Sequence, residues 1–385
     1  MAGFAIGSNL PDIDLLYTSF AGGPLAYVLQ HRGYTHTLLG GLAGALLLWL
    51  GIALWLRWRR LRASLGEQAW LAAACFGSVL LHLAMDYTNN YGVHPFWPFY
   101  NGWVYGDSVF ILEPLLWLAA APLIFVLHSR WARVVVAVAV AAMTLAVALL
   151  GVVARPAAIV FVLLAAAMLA AGRWLRPTAA LACGAGLWLS ATLCFALAGR
   201  LATAHLDAAA ARSFPTSRTL DRVLTPTPAD PLCWDAWLVQ AQQGTETMRQ
   251  ARIALWPGLI SAAQCRGVDL VAPGGPAGKV FGGALQPGER VPAVSDSGLQ
   301  WLRQFSLPDE RIARLAQRQC RARAFMQFAR VPMVEVEPSG WRLGDLRFGG
   351  GRGFSWLQLT EPPQPCNFPA VPWLAPRPEL LAPRH

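Results

Sequence analysis

The sequence predicts an all-α polytopic membrane domain of about six transmembrane helices, followed by a small α+β soluble domain. The first observation is composition: of 385 residues, 55% are hydrophobic and only 14% are charged, whereas a soluble domain carries about 25% charged residues. The second is a series of long apolar runs confined to the first 200 residues. The third is the return of charges, Pro and Gly after about residue 200. The chain therefore belongs largely in a membrane.

The apolar runs are long enough to cross a hydrocarbon core of about 30 Å as helices. The fifth run is short, and Arg155 and Pro156 interrupt the helix before it. The fourth and fifth runs are therefore the least regular of the six. The six runs are 37–56, 68–86, 108–127, 134–153, 156–172 and 179–198.

The second half predicts an exported α+β domain and a tail. Helix-like patterns cover 297–304 and 308–329, and strand-like patterns cover 332–348 and 354–360, with a Gly-rich turn between the strands that indicates a hairpin. The Pro-rich end is expected to be extended or disordered. A glycine-rich stretch at 274–279 lacks the residues of a phosphate-binding loop. The predicted segments are 1–36 (motif segment), 37–198 (transmembrane), 199–361 (exported) and 362–385 (tail).

Charge and cysteines predict the sidedness of the chain. Arginines cluster in the loops after the first, third and fifth runs, so these loops are expected in the cytoplasm and the C-terminal domain on the periplasmic side of a bacterial inner membrane. The exported domain holds four cysteines, which allow two disulfides in three connectivities or four free thiols. The net charge of +10 is spread between apolar blocks, which argues against nucleic-acid binding.

Carboxylates are scarce in the first 200 residues, and their placement is uneven. Five of six fall, with four histidines, at the predicted outer ends of spans, and only Glu67 lies near the cytoplasmic loops. Charged groups near membrane depth are costly and usually functional. A one-sided cluster of acids and histidines therefore predicts a bound cation.

The spacings indicate which residues would hold that cation. Asp12 and Asp14 stand at i and i+2, which in an extended segment points both carboxylates to one face. His82 and Asp86 stand at i and i+4, on one face of a helix. Nitrogen and oxygen ligands without thiolate suit a divalent ion, with zinc or manganese expected. The candidate ligands are Asp12, Asp14, His31, His36, His82, Asp86 and His94.

Each of these residues also has a structural reading. A DxD pair alone is more often a solvated turn, and His94 is either a ligand or an aromatic-belt residue. Arg32 either orients a substrate anion or lies at the interface as an ordinary arginine. Glu113 and Asp107 are the candidate general bases, although Asp107 would also serve as a helix cap.

The motifs in order resemble the membrane-bound metal-dependent hydrolase family, the LexA-regulated inner-membrane hydrolases of the YdjM type. The resemblance rests on SNLPDID at 8–14, HRGYTHT at 31–37, HLAMD at 82–86, YGVHPFWPF at 91–99 and the stretch from Gly106 to Pro114. It implies an inner-membrane hydrolase that needs a divalent metal. Members usually carry a Thr-His pair upstream of the DxD motif, so either an upstream start or a missing ligand is expected here.

The leading hypothesis is a hydrolase of esters or phosphoesters at the periplasmic membrane surface, with membrane lipids or a lipid-linked substrate as partners. A proton- or ion-coupled transporter is the second hypothesis. It predicts acids through the last three spans, but residues 134–198 contain none. A third hypothesis is a non-enzymatic envelope stress or scaffold protein whose exported domain binds a partner.

Overall fold

The computed structural model describes residues 2–20, 23–151, 153–265, 288–338, 340–349, 354–368 and 370–381. They form two compact units, here called unit 1 (residues 1–106 and 307–385) and unit 2 (residues 107–306). These units cut across the predicted segments, because the last part of the chain packs with the N-terminal segment. The glycine-rich stretch at 274–279 lies outside the described residues.

Unit 1 begins with three short helices and continues with two of membrane length. The short ones are α1 (Ala2–Gly7), α2 (Asp14–Phe20) and α3 (Gly23–Gln30), and the long ones are α4 (Leu38–Trp58) and α5 (Leu65–Thr88). Thr37 caps α4 by accepting from the amide of Gly40, and Ser64 with Glu67 forms a capping box on α5. The 24 residues of α5 span about 36 Å, slightly more than the hydrocarbon core.

The third predicted span is not one continuous helix. Residues 108–127 form two short helices, α6 (Pro114–Leu118) and α7 (Leu123–Val126). Pro122 lacks an amide hydrogen and its ring obstructs the preceding turn, so one continuous helix cannot pass through it. Within the described residues, five helices are long and apolar enough to cross a membrane.

Unit 2 supplies the other three membrane-length helices, α8 (Arg130–Leu149), α9 (Arg155–Trp174) and α10 (Pro177–Ser213). Pro156 lies in the first turn of α9, where proline is tolerated, and the break before it is confirmed. At 37 residues, α10 is about 55 Å long and extends past a bilayer core. Its last turns bury Ala202 and Leu206 in a core shared with Trp234 of the following sheet.

A four-stranded sheet with the order β1-β2-β3-β4 follows α10. The strands are β1 (Arg218–Thr227), β2 (Asp230–Gln242), β3 (Thr245–Ala254) and β4 (Leu299–Pro308). β2 pairs antiparallel with β1 and with β3, for example Trp237 opposite Gln250. The predicted helix at 297–304 is wrong, because Leu299, Trp301, Phe305 and Leu307 alternate to one buried face with the period of a strand.

The remaining part of unit 1 contains α11 (Asp309–Arg318), α12 (Cys320–Phe325) and a second antiparallel sheet. Its strands are β5 (Pro332–Glu337), β6 (Gly340–Asp345) and β7 (Trp356–Thr360). The helices predicted within 308–329 and the hairpin between β6 and β7 are confirmed. The stretch 332–348 folds as two strands rather than one. Gly350 and Gly351 of the predicted turn lie outside the described residues.

Most described residues of the Pro-rich tail lie outside helices and strands, as expected of an extended segment, and several of its side chains are buried. Trp373 is only 2% exposed, and its indole Nε1 donates to the carbonyl of Leu29 at 2.8 Å. Gln327 donates to the carbonyl of Trp373 at 2.9 Å, and the amide of Leu374 donates to the carbonyl of Asn101 at 3.1 Å. Prolines prevent regular pairing here, but side-chain burial still fixes the segment. Residues 382–385 lie outside the described residues.

Two disulfides join the four cysteines of the C-terminal half. Cys233 pairs with Cys265 inside unit 2, and Cys320 pairs with Cys366 inside unit 1, with Cα atoms 5.4 and 6.2 Å apart. This is one of the three connectivities that the sequence left open.

Candidate metal centre

Four of the predicted ligands converge in unit 1. Asp12, His36, His82 and Asp86 each present one oxygen or nitrogen, and these atoms lie within 4.8 Å of one another. His36 Nε2 is 3.3 Å from Asp12 Oδ1, 3.1 Å from Asp86 Oδ2 and 3.3 Å from His82 Nε2. His82 Nε2 is 3.6 Å from Asp12 Oδ1 and 3.3 Å from Asp86 Oδ2.

These separations fit a tetrahedral ion. Ligand atoms at 2.0 to 2.1 Å from zinc, at the corners of a tetrahedron, are about 3.3 to 3.4 Å apart. The five distances above range from 3.1 to 3.6 Å. Two of these atoms are imidazole nitrogens that face each other at 3.3 Å, an arrangement that a shared cation explains directly. The donor set of two nitrogens and two oxygens suits zinc.

The neighbours of the four residues orient the ligand atoms. His82 Nδ1 donates to the carbonyl of Ser8 at 2.8 Å, which leaves Nε2 as the free lone pair facing the cluster. Asp86 Oδ2 is buried and accepts no well-aligned hydrogen bond, although two imidazole nitrogens face it. A buried carboxylate oxygen without a hydrogen bond calls for another partner.

The local backbone explains how residues distant in sequence reach one point. Pro11–Ile13 forms one 3₁₀ turn, and Asp14 begins α2. The expected extended DxD segment is therefore wrong, because Pro11 enters a helical turn without strain at its first position. Tyr34–His36 forms a second 3₁₀ turn just before α4. On α5, His82 and Asp86 lie one turn apart, as predicted.

Asp14 lies behind the four converging residues rather than among them. One of its oxygens is 3.1 Å from His31 Nδ1. The other is 3.2 Å from His36 Nδ1 and accepts from the amide of Arg32 at 2.9 Å and from Thr35 Oγ1 at 3.1 Å. A carboxylate on the far nitrogen of a ligating histidine is the usual arrangement around protein metal sites. Asp12, Asp14 and His31 also form a second group that could hold an ion, with Asp12 common to both groups.

Electrostatics outside the spans agree with this arrangement. Burial alone would raise the pKa of Asp14, but hydrogen bonds from His31 and His36 outweigh it and lower the pKa. Burial alone would lower the pKa of His36, but its contacts with Asp12, Asp14 and Asp86 raise it to about 10. Without a metal ion, the carboxylates thus favour a positive charge at the position of His36.

Arg32 binds Asp86 from outside the four converging atoms. Its guanidinium lies 2.8 Å from Asp86 Oδ1, donates to Asn89 Oδ1 at 2.9 Å and stacks on the ring of Tyr91. The residue is buried, with a backbone φ of 58°. These contacts support a positioning role for Arg32, and its role of orienting an anion stays a prediction.

His94 is buried away from the four converging atoms. Its ring lies 3.9 Å from both Trp103 and Trp373 by centroid, and its Nδ1 is 3.3 Å from the carbonyl of Arg32. Burial lowers its pKa to about 3. These contacts support a packing role for His94 and do not support the predicted ligand role.

The candidate general bases lie in unit 2. Glu113 caps α6 by accepting from the amide of Leu115 at 3.1 Å, and it also accepts from the amide of Ala229 at 3.0 Å. Asp107 has a backbone φ of 46° at the start of unit 2. Their catalytic role stays a prediction.

Sequence reasoning missed several residues that support the centre. Ser8 contributes only a backbone carbonyl, which carries no side-chain signal. Tyr91 begins the quoted motif at 91–99, but no role was predicted for it. Asn89 lies between two quoted motifs, and attention to polar residues just after a span would have found it. Trp373 packs on Tyr34 and on His94 from more than 270 positions away, which no local pattern reveals.

Residues 1–157 match the family model described as the YdjM inner membrane protein. The match contains every residue of the centre and confirms the YdjM part of the resemblance, while the hydrolase activity stays a prediction. With its membrane-length helices, it identifies an integral membrane protein of the inner-membrane type. Comparisons with curated proteins and with solved structures found no match.

Proposed function

Because residues 1–157 match the YdjM inner membrane family and carry four converging ligand atoms, we propose that this protein is a metal-dependent hydrolase. It cleaves an ester or phosphoester at the membrane surface. The convergence of two imidazole nitrogens and two carboxylate oxygens carries this proposal, since five of the distances between these atoms are 3.1 to 3.6 Å, close to the separation of ligand atoms around a zinc ion.

The roles of the residues follow from their contacts. Asp12, His36, His82 and Asp86 would hold the ion, and the tetrahedral fit favours zinc over manganese, which prefers octahedral oxygen ligands. A divalent ion there would supply a Lewis acid and would make water nucleophilic at neutral pH, with the water as a fifth ligand because the four protein ligands fill a tetrahedral site. Asp14 aligns the His36 ring, and Arg32 with Asn89 keeps Asp86 in place. The Asp12 side chain is the most exposed of the four, so the centre is accessible from its side.

We further propose that the centre and the C-terminal half face the periplasm. Arginines at 57–62, 130–133 and 173–176 favour a cytoplasmic location for those loops. The two disulfides favour an oxidising compartment for residues 233–366. This sidedness requires residues 108–127 to cross the membrane as a broken segment. Alkaline phosphatase fused after residue 381 should be active and fused after residue 62 inactive, and the reverse pattern would contradict the proposal.

Metal analysis of the purified protein tests the function. Wild type is expected to hold at least one equivalent of zinc and to hydrolyse a chromogenic ester or phosphoester, whereas His82→Ala and Asp86→Ala should lose both. His128→Ala, at an exposed histidine outside the centre, is the matched control and should keep both. Metal-free wild type, or full activity in the two ligand variants, would contradict the proposal.

A further inference from the structure

Helix α2 carries an exposed apolar stripe directly beside the metal centre. Leu16, Tyr17 and Phe20 of α2, together with Ile13 just before it, follow the spacing i, i+3, i+4, i+7 of one helix face, and all four are exposed. Phe20 is 88% exposed. The opposite face buries Asp14, at 8% exposure, and Thr18. A helix that borders water turns its apolar face toward the protein interior. In α2 the apolar face is exposed and the polar residues are buried.

The position of α2 along the membrane-length helices explains why its apolar face is exposed. Asp12, just before α2, contacts His82 near the end of α5, and Asp14, the first residue of α2, contacts His36 just before α4. His82 is six residues from the end of α5, about 9 Å along the helix axis. Since α5 exceeds the hydrocarbon core by only about 6 Å, this places the ligand atoms near the hydrocarbon boundary.

A second apolar feature occurs at the same end of unit 1. The loop 95–100 is tied to the first residue of α4, because the amide of Leu38 donates to the carbonyl of Pro95 at 2.9 Å. Phe96, Phe99 and Tyr100 of this loop are exposed, with Phe99 at 96%. Exposed aromatic residues at the end of a span are typical of the membrane interface.

We infer that the α2 stripe and the aromatic loop lie in the adjoining lipid leaflet and that the substrate is a membrane lipid. This inference rests on the proposed hydrolase function. A lipid in that leaflet holds its ester and phosphoester bonds at the boundary where the four ligand atoms lie. Hydrolysis joins a water oxygen to the acyl carbon or phosphorus, breaks its bond to the alcohol oxygen, and transfers one water proton to that alcohol.

Lipid is favoured over a second protein copy as the occupant of the stripe. The exposed apolar residues of α4, such as Leu39, Leu46 and Leu47, require a bilayer around this unit. The stripe and the loop adjoin the end of those helices, so lipid already surrounds that level. A short helix with its apolar face outward gains free energy in the headgroup and acyl boundary in proportion to its buried apolar area.

Photo-crosslinking tests the location of the stripe without reference to activity. The full-length protein in liposomes of phosphatidylglycerol and phosphatidylethanolamine would carry p-benzoylphenylalanine at Phe20, at Phe99 or at Val294. Val294 is the matched control, since it is 91% exposed but lies outside the membrane-length helices. Lipid adducts in the mass spectrum are expected at Phe20 and Phe99 and not at Val294. Protein dimers at Phe20, or no adduct there, would overturn the inference.

An activity measurement tests the substrate class. Leu16→Gln/Phe20→Gln should lower kcat/KM at least tenfold for long-chain lipids in vesicles, while its metal content and its turnover of a short-chain soluble ester stay at wild-type values. Separate phosphoester and acyl-ester lipids show which bond is cleaved. Equal turnover of long-chain lipid by variant and wild type would overturn the inference. If wild type held no metal and hydrolysed no substrate, the proposed function would be contradicted. The crosslinking result would not be affected.

Discussion

The Asp14→Asn substitution tests whether Asp14 binds the metal directly or only positions one of its ligands. The Asp14 carboxylate supplies none of the four converging atoms. It contacts His31, His36, Arg32 and Thr35 instead. An asparagine has nearly the same shape but no charge. Its amide nitrogen can replace only one of the two oxygens, so the contact with His36 Nδ1 survives if the contact with His31 is given up.

The expected effect is therefore a loss of affinity without a loss of the site. Residues behind metal ligands typically contribute 10- to 100-fold to metal affinity, which corresponds to about 1.4 to 2.7 kcal/mol. Asp14→Asn should bind the same number of zinc ions as wild type, each 10- to 100-fold more weakly. Asp86→Asn, which changes one of the four converging atoms, should lose the ion altogether.

Competition with a chromogenic zinc chelator, performed in detergent, measures both affinity and stoichiometry. Asp207→Asn is the matched control, because Asp207 is a half-exposed carboxylate of unit 2 paired with Arg222. A whole equivalent of zinc lost in Asp14→Asn would refute this reasoning and identify Asp14 as a direct ligand of a second ion shared with Asp12 and His31.

Two further predictions concern stability. Trp373→Ala should destabilise unit 1 by about 3 to 5 kcal/mol, because it empties a fully packed site, and a thermal melt with unchanged Tm would show that the tail is dispensable. Cys320→Ser should cost about 4 kcal/mol in the chain-entropy description, since the disulfide closes a loop of 46 residues, while Cys194→Ser, at a free exposed thiol, should leave the non-reducing melt unchanged.

The candidate site was largely predictable because its signals are local. The i, i+4 pair on α5 and the one-sided placement of scarce acids follow from spacing and composition alone. Which of these residues would bind the ion and which would position a ligand was not predictable. Whether Asp14 or Asp12 faces His82 depends on the 3₁₀ turn at Pro11–Ile13, which places the two carboxylates on different partners.

The errors in the predicted fold have similar physical origins. Hydropathy summed over residues 108–127 is high, but Pro122 divides the segment, and a window average does not weigh a single proline. At 297–304, polar residues between apolar ones resembled an amphipathic helix, although the apolar positions of the strand 299–308 alternate. In the tail, Pro content suggested disorder because the partners that bury Trp373 come from the other end of the chain.

Composition and spacing along the chain predict that this protein lies in a membrane, that the few acids of its first 200 residues gather with histidines toward one side, and that nitrogen and oxygen ligands are available there. These are properties of composition and of neighbours along one helix. Tertiary packing sets which four atoms converge, how Asp14 and Arg32 position them, and how residues near 373 pack against residues near 30. Those outcomes depend on long-range contacts, because burial and orientation are set by chain segments that meet only after folding.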